Sequence, residues 1–211
     1  MNNTYQIVLM LLNNLSNDFK YDEFENNVMT SISEFDDSSS FKPPVESNAQ
    51  IPADFPRRII NGKSAMAQIS QSSISFNFSV ECEMNKLLPK IEQSINEISK
   101  VIKPIGREEY LKYRLGIILT IPMSIKKLKE RITYLKEDIF EKPEIEFSYL
   151  STINNDKLFN IWKRYYLNNN KNEAMFVLDC NNSSDTPYYL NETDVKELFE
   201  SNYKKLIEGA L

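Results

Sequence analysis

The sequence predicts an α+β fold in which helices pack on one face of a mostly antiparallel sheet. Predicted strands come in groups joined by hairpins, and helical segments separate those groups instead of alternating strictly with single strands. Residues 73–82 alternate apolar with polar side chains, as in a sheet that is covered on one side only. The chain has 211 residues, of which 41% are hydrophobic, so we expect one domain spanning residues 1–211.

The N-terminal region shows a strand pattern followed by a helix pattern. Residues 4–12 are apolar and rich in β-branched types, which predicts a buried strand. The apolar residues that follow recur three or four positions apart and predict one face of a helix: Tyr21, Phe24, Val28, Ile32 and Phe35. Residues 36–50 lack periodicity and contain Pro43-Pro44, so we expect a long, flexible loop there.

A β-hairpin is the strongest local signal. Residues 57–60 and 63–69 flank Asn61-Gly62, and both of those residues tolerate the positive φ that a type I′ turn requires. We therefore predict a hairpin that turns at this dipeptide, with residues 73–82 as a third strand. The apolar face of the third strand consists of Ile74, Phe76, Phe78, Val80 and Cys82.

A second helix and a long strand are predicted next. Residues 84–102 carry an apolar stripe at helical spacing: Leu87, Leu88, Ile91, Ile95, Ile98 and Ile102. Proline is tolerated in the first turns, where Pro89 falls, and Pro104 and Gly106 are expected to end the helix. Residues 110–121 alternate again and predict a strand with Lys112 and Arg114 on its polar face.

A third helix over residues 124–140 supplies candidate interface residues. Ser124 is suited to cap it, and its apolar residues follow the two-in-seven spacing of a helix–helix seam. The partner helix of such a seam lies either within this chain or in a second chain. The candidate protein-interface residues are Ile125, Leu128, Ile132, Leu135 and Ile139.

The C-terminal region is predicted to contain more strands and a final helix. Residues 144–150 have strand character, whereas residues 156–167 fit both a helix and a strand. An Asn-rich stretch precedes the apolar residues 174–180, which favours a hairpin between these last two segments. Asn191 is suited to cap a last helix with an apolar face of Val195, Leu198, Phe199, Tyr203, Leu206 and Ile207.

This layout resembles a sporadically distributed prokaryotic family of uncharacterised proteins. The resemblance covers most of the chain in order and implies architecture only. It lies in the Arg57-Arg58 to Ala65 hairpin with Gln68-Ile69-Ser70, the strand 73–78, the helix ending at Ile102, the segment Tyr113-Arg114-Leu115-Gly116-Ile117, and Val177-Leu178-Asp179.

Composition removes several classes of catalytic site. The chain contains no histidine, so Ser-His-Asp and Cys-His sites and histidine-ligated metals are excluded. Its four glycines are scattered and form no phosphate-binding loop. Cys82 and Cys180 lack the spacing of metal ligands. The sequence therefore favours a protein that is not an enzyme and predicts no cofactor.

Charge and hydropathy indicate the kind of partner and the compartment. A net charge of −5 disfavours nucleic acid, whose phosphates need an excess of Lys and Arg. The densest basic run, Lys126 to Arg131, reads as a solvated helix face because acidic residues follow it. No segment has the length of a membrane span and no leader pattern precedes residues 5–12, so we expect a cytoplasmic protein with reduced thiols.

Two functional hypotheses follow. The first is a non-enzymatic protein-binding module that contacts a protein partner or a second copy through a sheet edge or the third helix. A role in a prokaryotic defence, antitoxin or chaperone-like system would fit such a module. Trp162 with Tyr165 and Tyr166 is either a recognition patch or core.

The alternative is a carboxylate-dependent, metal-assisted phosphodiesterase or hydrolase. Asp179 would hold Mg²⁺ together with Asp36 and Asp37, or with Glu144 and Glu146. Nuclease sites of this kind often recruit a lysine, and Lys171 is near in sequence. The structural alternative for Asp179 is a strand-end residue that bonds to its own turn.

Overall fold

The computed structural model describes residues 3–12, 15, 18–44, 51–108, 112–133, 136–153, 157–182, 188–189 and 195–208. The strands are β1 (Asn3–Leu12), β2 (Ser39–Phe41), β3 (Arg58–Asn61), β4 (Ala65–Ile69), β5 (Ser73–Cys82), β6 (Lys112–Ser124), β7 (Glu144–Ile153), β8 (Lys157–Asn168), β9 (Glu173–Asn182) and β10 (Tyr188–Tyr189). The helices are α1 (Tyr21–Ser31), α2 (Met84–Glu108), α3 (Ile125–Arg131), α4 (Val195–Leu198) and α5 (Lys204–Glu208), with 3₁₀ turns at Ser33–Phe35, Glu137–Glu141 and Asn169–Lys171 and a π turn at Phe199–Tyr203.

One antiparallel sheet organises the molecule. Its strands follow the order β2-β3-β4-β5-β1-β6-β9-β8-β7, and β10 pairs with the start of β6. β1 and β6 are central neighbours, and each is followed by a helix and then by a meander whose last strand returns to pair with it: β5 with β1, and β9 with β6. The two halves of the chain therefore share one connectivity. The predicted fold class, α+β with a mostly antiparallel sheet, is confirmed.

The described helices cover one face of this sheet. In β1, Tyr5, Ile7, Leu9 and Leu11 are at most 3% exposed and belong to one core with residues of α1, α2, the π turn and α5. α3 packs on the same side through a smaller cluster. Because side chains alternate along a strand, the intervening residues of β1 point away from all of these helices.

A buried arginine of the sheet forms ion pairs with α1. Arg58 of β3 is only 9% exposed and lies on the helix side. Its guanidinium pairs with Asp22, and its Nε lies 2.8 Å from Glu25 Oε2, both of which are on α1. The Tyr21 ring lies 5.8 Å below the same guanidinium. Burial of this charge is supported by two carboxylates and a ring face, as a desolvated cation requires.

The predicted hairpin forms, but its turn lies two residues further along the chain. Asn61 pairs with Met66, and the Gly62 amide donates to the Ala65 carbonyl over 2.8 Å, so Lys63 and Ser64 form the turn. Neither Asn61 nor Gly62 has a positive φ, and the predicted type I′ turn at these residues is therefore wrong. Gly62 serves close packing instead, because a Cβ there would lie 2.2 Å from the Glu34 carbonyl oxygen.

The predicted end of the second helix is also wrong. α2 continues through Pro104 to Glu108. A proline removes one backbone donor, and here the preceding turn carries Val101 and Ile102, both buried in the main core. Because these two side chains are buried, α2 continues where Pro104 favours the end of a helix.

The predicted loop 36–50 contains a short strand. Asp37 adopts a left-handed conformation, and the short strand β2 then pairs with β3 at the sheet edge. Residues 45–50 lie outside the described residues, as does the predicted cap Asn191. β10 was not predicted, and the predicted last helix is α4 and α5 joined by the π turn.

Candidate protein-interaction surface

The third helix is shorter than predicted. Ser124 caps it, since its Oγ accepts a hydrogen bond from the Lys127 amide over 3.2 Å. The helix ends at Arg131, and a separate 3₁₀ turn follows at Glu137–Glu141. Lys129 Nζ joins the two pieces, 2.5 Å from Glu137 Oε2. The prediction of one helix over residues 124–140 is wrong.

The apolar stripe of α3 packs inside this chain. Ile125, Leu128 and Ile132 are at most 7% exposed, and they form a small core with Phe140, Ile145 and Ala174. Ile139 is partly buried against the same core, and Leu135 lies outside the described residues. Because these side chains fill an internal cluster, the stripe does not present the exposed interface that its spacing suggested. The physical reason is that the stripe is buried against Phe140, Ile145 and Ala174 of the same chain.

The uncovered side of the sheet, which we call the open face, presents large apolar side chains to solvent. Leu12, Tyr166 and Met175 expose 39%, 37% and 42% of their surface. Val8, Met10 and Ile118 are half-buried in the two central strands, where Val8 lies opposite Ile118. Exposed apolar groups on one continuous surface are typical of a binding site.

A strip along β9 and its two neighbouring strands combines aromatic, apolar, charged and amide side chains on the open face. We call it the β9 strip. It consists of Met175, Val177, Asp179 and Asn181 from β9, Tyr166, Arg164, Trp162 and Asn160 from β8, and Pro122, Thr120, Ile118 and Gly116 from β6. Asp179 lies opposite Trp162 on one side and opposite Ile118 on the other. Side chains directly opposite each other across strands have Cβ atoms about 5 Å apart.

Two asparagines orient the Asp179 carboxylate. Asn160 Nδ2 donates to Asn181 Oδ1 over 3.1 Å, and the Asn181 side chain in turn donates to Asp179. Burial raises the pKa of the Asp179 carboxyl above its ordinary value, although the Asn181 hydrogen bond and the positive charge of Arg164 oppose the shift. A desolvated carboxylate is thus held in a fixed position on a solvent-facing sheet.

Within the described part of the chain, Asp179 forms no ion pair, although the charge of Arg164 acts on it from a distance. The guanidinium of Arg164 is paired with Glu146, with Nε 2.5 Å from Oε2, and this contact raises the pKa of Arg164. The Trp162 indole N–H likewise has no acceptor among the described residues. Asp179 and Trp162 therefore keep unused hydrogen-bonding capacity on the open face.

Gly116 leaves a notch beside this carboxylate. It pairs with Met10 on one side and with Asn181 on the other. Its φ is not positive, and a Cβ there would have nothing nearer than 3.8 Å, so neither backbone conformation nor packing requires glycine. A glycine inside a strand often marks a place where a ligand or another backbone approaches closely. A pocket of about 430 Å³ lies at the other end of the strip, lined in part by Pro122, Tyr166 and Met175.

Among the described strand side chains of the open face, carboxylates outnumber cations. Among strand residues whose side chains the structure describes, those on this face include five carboxylates and one guanidinium: Glu81, Glu144, Glu146, Glu173 and Asp179 against Arg164. The side chains of Lys112 and Arg114, predicted to lie on the polar face, are outside the described set. The described charges favour a cationic ligand over a nucleic acid.

The residues of the proposed metal site are not brought together. Asp36 and Asp37 lie beside the edge strand β2, six strand positions from β9. Glu146 is paired with Arg164, and Lys171 is exposed in the turn before β9. Across the described ranges, no three carboxylate or thiol side chains are close enough to hold a metal ion. The predicted grouping of these carboxylates around Asp179 is therefore wrong.

Sequence reasoning named Trp162 and Asp179 separately but did not pair them. The pairing follows from the register of β8 with β9, which places residue 162 opposite residue 179. Sequence reasoning missed Asn160, Asn181 and Gly116.

In the portion of the chain that the structure covers, no helix has the length and apolar character needed to cross a bilayer. A scan against models of protein families and a search of curated proteins each find no match for this chain.

Proposed function

We propose that this protein is a protein-binding module whose partner docks on the open face of the sheet, over the β9 strip. The observation that carries the proposal is the one-sided covering of the sheet. Helices α1, α2, α3 and α5 and the π turn pack on one face, whereas the other face combines exposed apolar side chains with a fixed carboxylate that has no ion pair among the described residues. A Trp residue beside polar groups and exposed apolar area is typical of protein-interaction surfaces.

A different protein is a better partner than a second copy. Face-to-face pairing of two open faces would bring two sets of carboxylates together, and like charges at an interface oppose association. We place the partner in the cytoplasm. The composition and the family resemblance alone motivate a further proposal, that the pair acts in a prokaryotic defence, antitoxin or chaperone-like system.

Selection of peptides from a random display library on the immobilised protein tests this proposal. The open face would be altered by the double change Val8→Thr and Ile118→Thr, which keeps β-branched residues in the two central strands. The matched control is Ile139→Thr, the same kind of change on the helix side. Urea unfolding of each variant verifies that it is folded.

We expect selected peptides to bind the double variant at least about tenfold more weakly than the parent, because apolar contact area is lost. The control variant should bind them like the parent. Peptides whose binding falls with Ile139→Thr and not with the double change would place the interface on the helix side. A library that yields no binder at all would contradict the proposal as well.

A further inference from the structure

We propose that the β9 strip recognises a basic segment of the partner, with an arginine or lysine side chain seated between the Asp179 carboxylate and the Trp162 ring. This inference rests on the proposed function and specifies the chemistry of the partner. It draws on three features of the open face: its charge, the geometry around Asp179 and the notch at Gly116.

Charge complementarity selects a cationic partner. The described strand side chains on this face include five carboxylates, and its one described guanidinium is already paired with Glu146. An approaching basic segment is attracted by these described carboxylates before any specific contact forms. A phosphate-bearing polymer would meet the same carboxylates and be repelled.

The pairing of Trp162 with Asp179 matches the two needs of a basic side chain. A carboxylate accepts charge-assisted hydrogen bonds from a guanidinium or ammonium group, and an indole ring attracts a cation to its face. Asn160 and Asn181 hold the carboxylate in place, so little side-chain freedom is lost on binding. Among the described residues no cation forms an ion pair with Asp179, and Arg164, whose charge acts on it, is paired with Glu146.

The notch at Gly116 lets an extended peptide lie close to the sheet. It adjoins Asn181 directly, and Asn181 hydrogen-bonds to Asp179. A side chain at position 116 is not excluded by the fold, since the nearest atoms to an added Cβ are 3.8 Å away. The missing side chain therefore leaves space beside the carboxylate for the backbone of the partner.

Trp162 provides a direct assay because it is the only tryptophan of the chain. The probe is a short synthetic peptide of alternating arginine and threonine, and a peptide of alternating glutamate and threonine is the charge-reversed comparison. We expect the arginine peptide to shift the Trp162 emission saturably, with weaker binding as salt is added. The glutamate peptide should leave the emission unchanged.

Two matched variants separate specific recognition from general attraction. Asp179→Asn is nearly isosteric and should weaken binding of the arginine peptide about tenfold or more, as expected on loss of a charge-assisted hydrogen bond. Asp138→Asn removes the same charge from an exposed residue on the helix side and should leave binding unchanged. Equal weakening by both variants, or none by Asp179→Asn, would overturn the proposal.

Failure of this inference can be distinguished from failure of the proposed function. If display-selected peptides lose binding with the Val8→Thr and Ile118→Thr double variant but are indifferent to Asp179→Asn, the open face binds protein and the basic-segment proposal is wrong. A saturable Trp162 response to single-stranded DNA, with none to the arginine peptide, would also overturn it.

Discussion

Replacing Gly62 with alanine tests how the sheet is joined to the first helical region. Gly62 follows β3 and lies against the 3₁₀ turn Ser33–Phe35. A Cβ at this position would lie 2.2 Å from the Glu34 carbonyl oxygen and 3.1 Å from Phe35 Cδ1. The first distance is far below any van der Waals contact, and the atom concerned belongs to the backbone. The 3₁₀ turn would therefore have to move away from β3.

The burial of Phe35 sets the expected loss in the free energy of unfolding. Phe35 is fully buried in the main core, so the 3₁₀ turn moves only by disturbing packed side chains. Overpacking of this kind costs about 1–3 kcal/mol. The reduced backbone freedom of alanine in the unfolded chain offsets roughly 0.4–1 kcal/mol of that cost. We expect Gly62→Ala to lower the free energy of unfolding by about 1–2 kcal/mol as the balance of these two effects.

Gly116→Ala is the matched control for this substitution. The same methyl group would be added inside a strand, 3.8 Å from its nearest neighbour, where alanine is better than glycine by about 0.5–1 kcal/mol. Urea unfolding followed by Trp162 fluorescence and circular dichroism measures both variants. The two free energies of unfolding should differ by about 1.5–3 kcal/mol, in favour of Gly116→Ala. Equal stabilities would refute the close contact between Gly62 and Glu34.

Three further outcomes are expected. Phe76→Ala removes a ring that is 1% exposed in the main core and should cost about 3–5 kcal/mol in urea unfolding, whereas a loss below about 1 kcal/mol would show that this side of β5 is not core. Tyr203→Phe removes the hydroxyl that donates to the buried Leu115 carbonyl over 2.5 Å and should cost about 1–3 kcal/mol in thermal unfolding; an unchanged melting temperature would contradict this. Asp179→Asn should raise the melting temperature at pH 7, because the folded state raises the pKa of this carboxyl and its ionisation then opposes folding. The difference between variant and parent should vanish below the ordinary pKa of 3.8, and a variant less stable than the parent at pH 7 would contradict the argument.

The side-chain patterns of the sequence were sufficient to predict most strands and the face that each strand buries. β5 has the predicted bounds, and its inward residues Ile74, Phe76 and Phe78 are buried. Such alternation is a local signal, because one covered face imposes a period of two on every strand. The hairpin of β8 and β9 was also predicted, since its Asn-rich turn separates two apolar runs.

The errors arise where distant contacts outweigh local preference. Asn61-Gly62 has the composition of a tight turn, yet the packing of Gly62 on Glu34 comes from a segment 28 residues earlier in the chain (62 − 34). The apolar stripe that begins in α3 predicts a longer helix, yet the helix ends at Arg131 and Phe140 packs in the same cluster as its apolar residues. The local sequence pattern indicates neither of these contacts.

The candidate site was predictable only in its parts. Trp162 and Asp179 each stood out by residue type, but their pairing depends on the register of β8 with β9. Asn160, Asn181 and Gly116 have no distinctive spacing. Their importance follows from which face of the sheet the helices leave uncovered, and that is a property of the whole fold.

Chemical-shift mapping of a display-selected peptide on the methyl-labelled protein tests the central claim most directly. Consecutive residues of a strand point to opposite faces, so the chain contains its own comparison. We predict that saturating peptide shifts the methyl signals of Val8, Ile118 and Val177 on the open face and leaves those of the buried Ile7 and Leu178 nearly unchanged. Shifts confined to methyl groups of the helices, with Ile118 and Val177 unaffected, would show that the open face is not the binding surface.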